Sequence, residues 1–558
     1  INSMGGLGTD GIGGGGGSIT LRALGAGDIT TGTYNANGGA SIVGDFDDAY
    51  NGGNAGNLLV DAGGSNIILN GNINLEGGTS VPRGLGGNAR FKSNVLLESD
   101  IAINTGTTNG NVVFEGTVNS QISNNEQNLT IVAGEGEVVF EGEIGTGTAG
   151  AQELNTLDVT ATAISAEQNI TARGGVSFVS RDEIELGKSD QDGQTLTINT
   201  NRSDDTNAVG NGSVLMDASN STTRLYADLV VTRGTGEVRF TTGLNLAVTG
   251  TASGGDTENY DITINGSGAN GSATDGDVTF FANNNYSLFN VGDIALSQVG
   301  DLSITGPIKA KSLVYGDEGT GNVSLTGSNT SEFSGSVTKN YDLGTGNGPE
   351  DHDVGLFIET AGSIDADINH TLSLEGAKAF LIANGVSDFS GTDRSLYFSD
   401  QYHSDLTTAN GLIYLKGEGV DQVVGSNIAA GSQRIIVDGG GNGNDIYLAG
   451  RLTTTHDDTN GPAVLLRNAN DVTIADIFNS TNGTLQIGTA KSGGSSADVT
   501  GNVNQLSQTG NGISVKTISA YTGGDITITS TQNNFDHTGT IELGGKLNVQ
   551  SDFGGLSL

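Results

Sequence analysis

The residues of this chain best placed to do chemistry are carboxylates set among glycine and asparagine. In GGNGNDIYL, residues 440–448, Asp445 follows a run of turn-forming residues, and Tyr447 occupies the large apolar place of a calcium-binding nonapeptide. A second group lies in GDFDDAYNGGN, residues 44–54, where Asp45, Asp47 and Asp48 precede asparagines whose carbonyls could complete an oxygen shell. Hard divalent cations take six to eight such oxygens, so calcium is the cofactor these spacings would serve. Neither motif is complete. The nonapeptide occurs once, whereas a working site draws ligands from successive copies. The 44–54 stretch lacks the ligand order of an EF-hand and its terminal glutamate. Asp190 and Asp192 in KSDQDGQ form a thinner version of the same pattern.

Other chemistries have less material. The five histidines stand at 352, 370, 403, 456 and 537, and only Asp351, His352 and Asp353 make a local cluster, which a loop of mixed charge also explains. There is no cysteine and no GxSxG elbow, so nucleophilic catalysis has no support. Paired carboxylates for glycoside hydrolysis arise easily among abundant Asp, but sugar grooves add aromatic platforms. Here aromatics are 5% of the chain and Trp is absent. A polysaccharide-cleaving enzyme is therefore the alternative reading, and the first expectation is of no enzyme, no catalytic residues and no cofactor beyond calcium.

The elements that must position these residues are short strands. SITLRAL (18–24), NIILNGNINL (66–75), NVVFEGTV (111–118), QTLTINT (194–200) and GDITITST (524–531) alternate apolar and polar residues, while helical periodicity is almost missing. Many of these runs share one signature: Gly, a polar or acidic residue, Val or Ile, any residue, then Phe, Leu or Ile. It reads GNVVF ending at Phe114, GEVVF at Phe140, GEVRF at Phe240, GDVTF at Phe280, GDLSI at Ile304, GNVSL at Leu325 and GDITI at Ile528, with GGVSF at Phe178 a variant. The two apolar letters share one face of a strand, and the variable letter between them faces outward. The phrase LTIVAGEGEVVFEGEIG (129–145) returns as LVVTRGTGEVRFTTGL (229–244).

The Phe copies lie 26, 38, 62 and 40 residues apart, which suits one, two, three and two multiples of a unit of 19–26 residues. Stacked coils of that size make an all-β solenoid, a parallel β-helix of roughly twenty to twenty-five coils and on the order of 100 Å long. Asn and Thr at successive turns are expected to form hydrogen-bond ladders. An array of immunoglobulin-like sandwiches would show longer strands, more Pro and a buried Trp. The chain has 4 Pro in 558 residues.

Composition fits a narrow core: 92 Gly and 34% hydrophobic residues. The 63 Asp and Glu against 23 Lys and Arg give a net charge of −40, which argues against a nucleic-acid partner and against an anionic membrane surface. No apolar run reaches 18 residues, so no membrane insertion is expected. Residues 1–17, INSMGGLGTDGIGGGGG, read as a flexible leader or linker, and residues 18–558 as one continuous solenoid with lateral loops, for example near 344–353. Starting on Ile1 without a basic-then-apolar leader, the chain reads as a processed product or a segment of something longer.

The GDITI-like and LTIVAGEGEVVF-like phrases resemble the repeats of filamentous haemagglutinin-type exoproteins and autotransporter passenger domains. The resemblance covers most of residues 18–550, and its motifs are degenerate. It implies a right-handed parallel β-helix, export to the bacterial cell surface, and a role in adhesion, aggregation, or filament or matrix building. The expected partners are further copies of the chain and a cell-surface or glycan ligand. The chain departs from the pattern in having no Asn-Pro-Asn secretion motif and no Arg-Gly-Asp. A calcium-stabilised surface-layer component is the remaining alternative.

Overall fold

The computed structural model describes two compact units, residues 1–269 with 274–287, and residues 270–273 with 288–558. In the first unit the described residues are all except 9–11, 24, 42–50, 122–125, 147–151, 189–193, 202–211, 219–221, 243–244, 249–259, 267–269, 274–275 and 283–287. In the second they are all except 270–273, 317–320, 329, 344–347, 370, 385–386, 390–391, 395, 399–404, 423–425, 442, 480–482, 490–497, 507–512, 516, 529–534, 537–540, 544–546, 550–555 and 558. No helix is present among them, and so none is long and apolar enough to cross a membrane.

Each unit is a parallel β-helix with three faces per coil. In the first unit the chain runs from Ile19–Arg22 on the first face to Ile29–Thr31 on the second and Tyr34–Asn35 on the third. It then returns to the first face at Leu58–Asp61. Register is strict: Val60, Phe91, Phe114 and Phe140 are successive partners, and the rings of Phe91, Phe114 and Phe140 stack 4.8 and 5.3 Å apart. In the second unit Leu302, Val323, Ile364, Leu396, Val420, Ile446, Val472, Val503 and Ile526 form one unbroken column, all buried. Counted on the second face among the described residues, there are nine rungs in the first unit, from Ile29 to Ile262. The second unit has ten, from Asp293 to Ile541.

The signature marks one corner and the strand after it, and so it can fall on any face. In LTIVAGEGEVVF, Ile131 lies on the third face between Ile103 and Val159, and Phe140 on the first. In LVVTRGTGEVRF, Val231 lies on the second face between Ile198 and Ile264, and Phe240 on the third between Met216 and Phe280. The two phrases are one face out of phase. The spacing expectation changes accordingly. Phe178 to Phe240 is two coils, through Met216, and Phe240 to Phe280 is one. Insertions at corners, such as the stretch between Asn74 on the third face and Ala89 on the first, lengthen a coil without disturbing its register.

Corners are joined by side chains as well as backbone. The Asn57 Oδ1 accepts the Asn88 N–H at 2.8 Å, the Asn88 Oδ1 accepts that of Asn111 at 2.8 Å, and the Asn111 Oδ1 accepts that of Glu137 at 3.0 Å. Asp301 and Asn322, the polar letters of GDLSI and GNVSL, do the same for Asn322 and Ser363. Where the polar letter of the signature is Asn111, Asp301 or Asn322 it is thus a rung of a ladder, as expected for Asn, and aspartate shares the role.

Of the stretch expected as a flexible leader, residues 1–8 and 12–17 are described, and they make hydrogen bonds to the stack. Ser3, Gly5 and Gly8 donate to the carbonyls of Asn35, Asn37 and Ala40. A chain of amide bonds of 2.7–3.0 Å links Gly14 to Gly6, Gly39 to Gly14, Gly53 to Gly39, Gly78 to Gly53 and Gly84 to Gly78. Peptide groups here pack directly against peptide groups of neighbouring coils. A Cβ on Gly38 would stand 1.7 Å from the Gly53 carbonyl oxygen, and one on Gly39 1.9 Å from that of Gly6, so only glycine permits the approach.

Two outcomes follow for hydrogen exchange. Asn88→Ala removes the acceptor of the Asn111 amide and costs about 1–2 kcal/mol locally, whereas Asn88→Asp retains the protection. Gly39→Ala, whose Cβ would meet the Gly6 carbonyl, abolishes protection of residues 1–8 and leaves the stacked Phe91, Phe114 and Phe140 strands protected.

Candidate functional site: a clasped aromatic strip

Of the expected calcium ligands, Asp445 lies among the described residues. Asp45, Asp47, Asp48, Asp190 and Asp192 lie outside the described residues. Asp445 is exposed, and its Oδ1 accepts the Asp471 N–H at 2.9 Å and the Asn470 side-chain amide at 3.2 Å. Asp471 passes the same bond to Asn502, and Asn502 to Asp525. Asp445 is therefore a rung of a corner ladder. No group of three His, Asp or Glu residues able to hold a metal occurs among the described residues.

The feature that stands apart is a hairpin on the second face of the second unit. It is formed by β1 (Val337–Tyr341) and the start of β2 (Glu350–Thr360), antiparallel, with Lys339 opposite His352. The stretch 344–353, expected as an irregular lateral loop, thus contributes a strand from Glu350 onward. Strand alternation splits the Asp351, His352, Asp353 cluster. His352 is buried beneath, while Asp351 and Asp353 face outward and accept hydrogen bonds from Asn340 and Thr338.

Beneath the hairpin, β2 continues into the sheet with β3 (Lys378–Ala383), β4 (Ile413–Gly417), β5 (Ile435–Asp438) and β6 (Val464–Arg467). The inward residues are those of any coil, such as Leu356, Leu381 and Leu415. The outward ones are apolar too: Phe357, Phe380, Tyr414, Ile436 and Leu465 are register partners in one strip across five coils. Phe357 and Phe380 centroids are 6.1 Å apart, and Phe380 and Tyr414 5.6 Å.

Tyr341 closes the strip as a keystone, with its ring 6.0 Å from Phe357, 5.8 Å from Phe380 and 5.9 Å from Tyr414, inclined by 54–72°. Such tilted and edge contacts match the ring quadrupoles. The Lys339 ammonium lies 5.4 Å over the Phe357 ring. At the far end the Arg467 guanidinium pairs with Asp438 at 2.9 Å, both buried, and donates to the carbonyl of Leu343. Asn468 donates to the same carboxylate at 2.8 Å. Burial pushes the Tyr414 hydroxyl up to about 12 and raises that of Tyr341 as well, so both phenols stay protonated.

Sequence reading by alternation passes over this strip, because alternation assigns outward letters to solvent. The signal that could have found it is the continuous apolar run: LFI at 356–358, AFLIA at 379–383, LIYL at 412–415, IIV at 435–437 and AVLL at 463–466. Such runs indicate strands covered on both sides. In chemical terms the strip is an apolar docking surface, occupied by the chain's own hairpin.

Tyr341→Ala is expected to weaken docking by on the order of 2 kcal/mol. Exchange protection falls in 337–343 and 350–354, while the column from Leu302 to Ile526 keeps its protection. Comparison with known protein families, curated proteins and solved structures finds no match to this chain.

Proposed function

We propose that this chain is a non-enzymatic extracellular protein of the bacterial cell surface with a structural or adhesive role. Its units act as stackable scaffolds that associate with further copies into a filament or matrix. This reading extends the resemblance to haemagglutinin-type exoproteins and passenger domains. The solenoid coils supply the scaffold, and the outward letters and corner insertions supply any surface for a cell or glycan ligand.

The observation that carries the self-associating part is the first coil of the first unit. Its side chains include Ile1, Met4, Leu7 and Ile12, which are 61%, 61%, 67% and 66% exposed and make up most of the large exposed apolar residues described. The same coil donates amides to the next one. Apolar side chains exposed on a stacked coil favour the approach of a further coil, and a second copy of the chain carries coils of the same architecture. The net charge of −40 keeps such copies soluble, and salt or divalent cations that screen it favour their approach.

Sedimentation and electron micrographs in physiological salt with millimolar calcium test the reading. Assemblies are expected, and Met4→Glu with Leu7→Glu disperses them while leaving the strand content unchanged. A chain that stays monomeric at high concentration under these conditions removes the filament reading. Binding to cells without assembly would leave the adhesive one.

A further inference from the structure

The hairpin is held over the aromatic strip partly by an imidazole whose two nitrogens have different tasks. His352 Nε2 lies 3.2 Å from the Tyr341 carbonyl oxygen, which can only accept, so the proton sits on Nε2. That leaves Nδ1 with a lone pair, and it faces the Lys378 ammonium of β3 at 3.2 Å. A lysine ammonium can only donate. The contact therefore exists for neutral His352 alone. The ring itself lies 5.1 Å from Phe380, inside the strip.

Charges around the ring are few and identifiable. Lys378 stands on β3. Lys339, opposite on β1, turns its ammonium over Phe357. On the ring's own strand Glu350 and Asp351 favour the imidazolium, but both are exposed and Asp351 is bonded to Asn340. Asp353 is bonded outward to Thr338. Asp342 and Glu359 lie near Tyr341, and at the far end Asp438 is neutralised by Arg467. The phenols of Tyr341 and Tyr414 stay uncharged.

We propose that the hairpin is an acid-released strap. A proton taken up on Nδ1 of His352 turns the Lys378 contact from a hydrogen bond into a meeting of two cations within the apolar strip. The hairpin then lifts from β3 and β4 and uncovers Phe357, Phe380 and Tyr414. The device is separate from end-to-end assembly and operates on each copy alone.

The direction of the pH effect follows from linkage. Burial, and then Lys378, hold the docked imidazole below the usual histidine value, while the undocked one titrates near that value, about 6.5. Docking is therefore at full strength above the undocked value. It weakens as pH falls through that value toward the lower, docked one, each unit of separation removing about tenfold from the docking constant. Lys378 can relieve part of the clash by swinging toward water, but the desolvation of the imidazolium remains.

Hydrogen exchange of the full chain, corrected for the intrinsic pH dependence of the chemistry, tests the strap between pH 7.5 and 4.5. Segments 337–343 and 350–356 are expected to lose at least about threefold in protection below the undocked value, from the same linkage. The ladder strands at 446–448 and 472–474 should be unchanged. His352→Gln keeps a side-chain donor for the Tyr341 carbonyl and cannot titrate, so its hairpin stays docked in acid. Should that variant fail to dock at neutral pH, Lys378→Met serves instead, since removing the cation reduces the acid loss. The proposal is overturned if wild-type protection of both segments is constant down to pH 4.5. It is equally overturned if His352→Gln, docked at neutral pH, opens in acid as wild type does, or if Lys378→Met opens as fully as wild type.

Discussion

Everything in these units depends on one requirement: the amide and carbonyl groups of each coil must be satisfied by the coil on either side. A single coil has too little apolar surface to fold alone, so the ladder bond and the buried column are formed together or not at all. The corner asparagines and aspartates extend this rule to places where a strand pauses. From Asn57 through Asn88 and Asn111 to Glu137 the side chain continues the bonding that the backbone interrupts. The same requirement governs the glycine-rich start, where peptide groups of neighbouring coils bond directly to one another.

The fold was legible because this requirement repeats. Val138 and Phe140 recur as Val238 and Phe240 since any inward place, on any face, asks for the same kind of residue. That indifference is also why coil number and phase were hard to read. The letters say that a strand follows a corner and say nothing about which of three faces it joins, and insertions such as that between Asn74 and Ala89 lengthen the spacing freely. Residues 1–17 read as a linker because glycine is the composition of both a flexible chain and a close-packed one. Only the partner backbones of Gly6, Gly39 and Gly53 separate the two.

The site was less legible for a related reason. Asp445 sits in a sequence that fits a cation, yet its neighbours in space are the next coil's amides, which ask only for an acceptor. The aromatic strip depends on Phe357, Phe380 and Tyr414, which are 23 and 34 residues apart and become neighbours only through register. Its cover, Tyr341, comes from an insertion whose composition is mostly polar. Nothing local announces that these four rings meet.

The slip of the repeated phrase by one face has a consequence for how such chains can change. If LTIVAGEGEVVF and LVVTRGTGEVRF are interchangeable in wording but occupy different faces, then the smallest unit of growth is a third of a coil. A duplication of one corner and one strand shifts every later strand onto the next face without exposing its inward residues. Lineages of this architecture can therefore drift in phase while keeping their core. An alignment that matches phrase to phrase would then pair residues pointing in different directions around the axis.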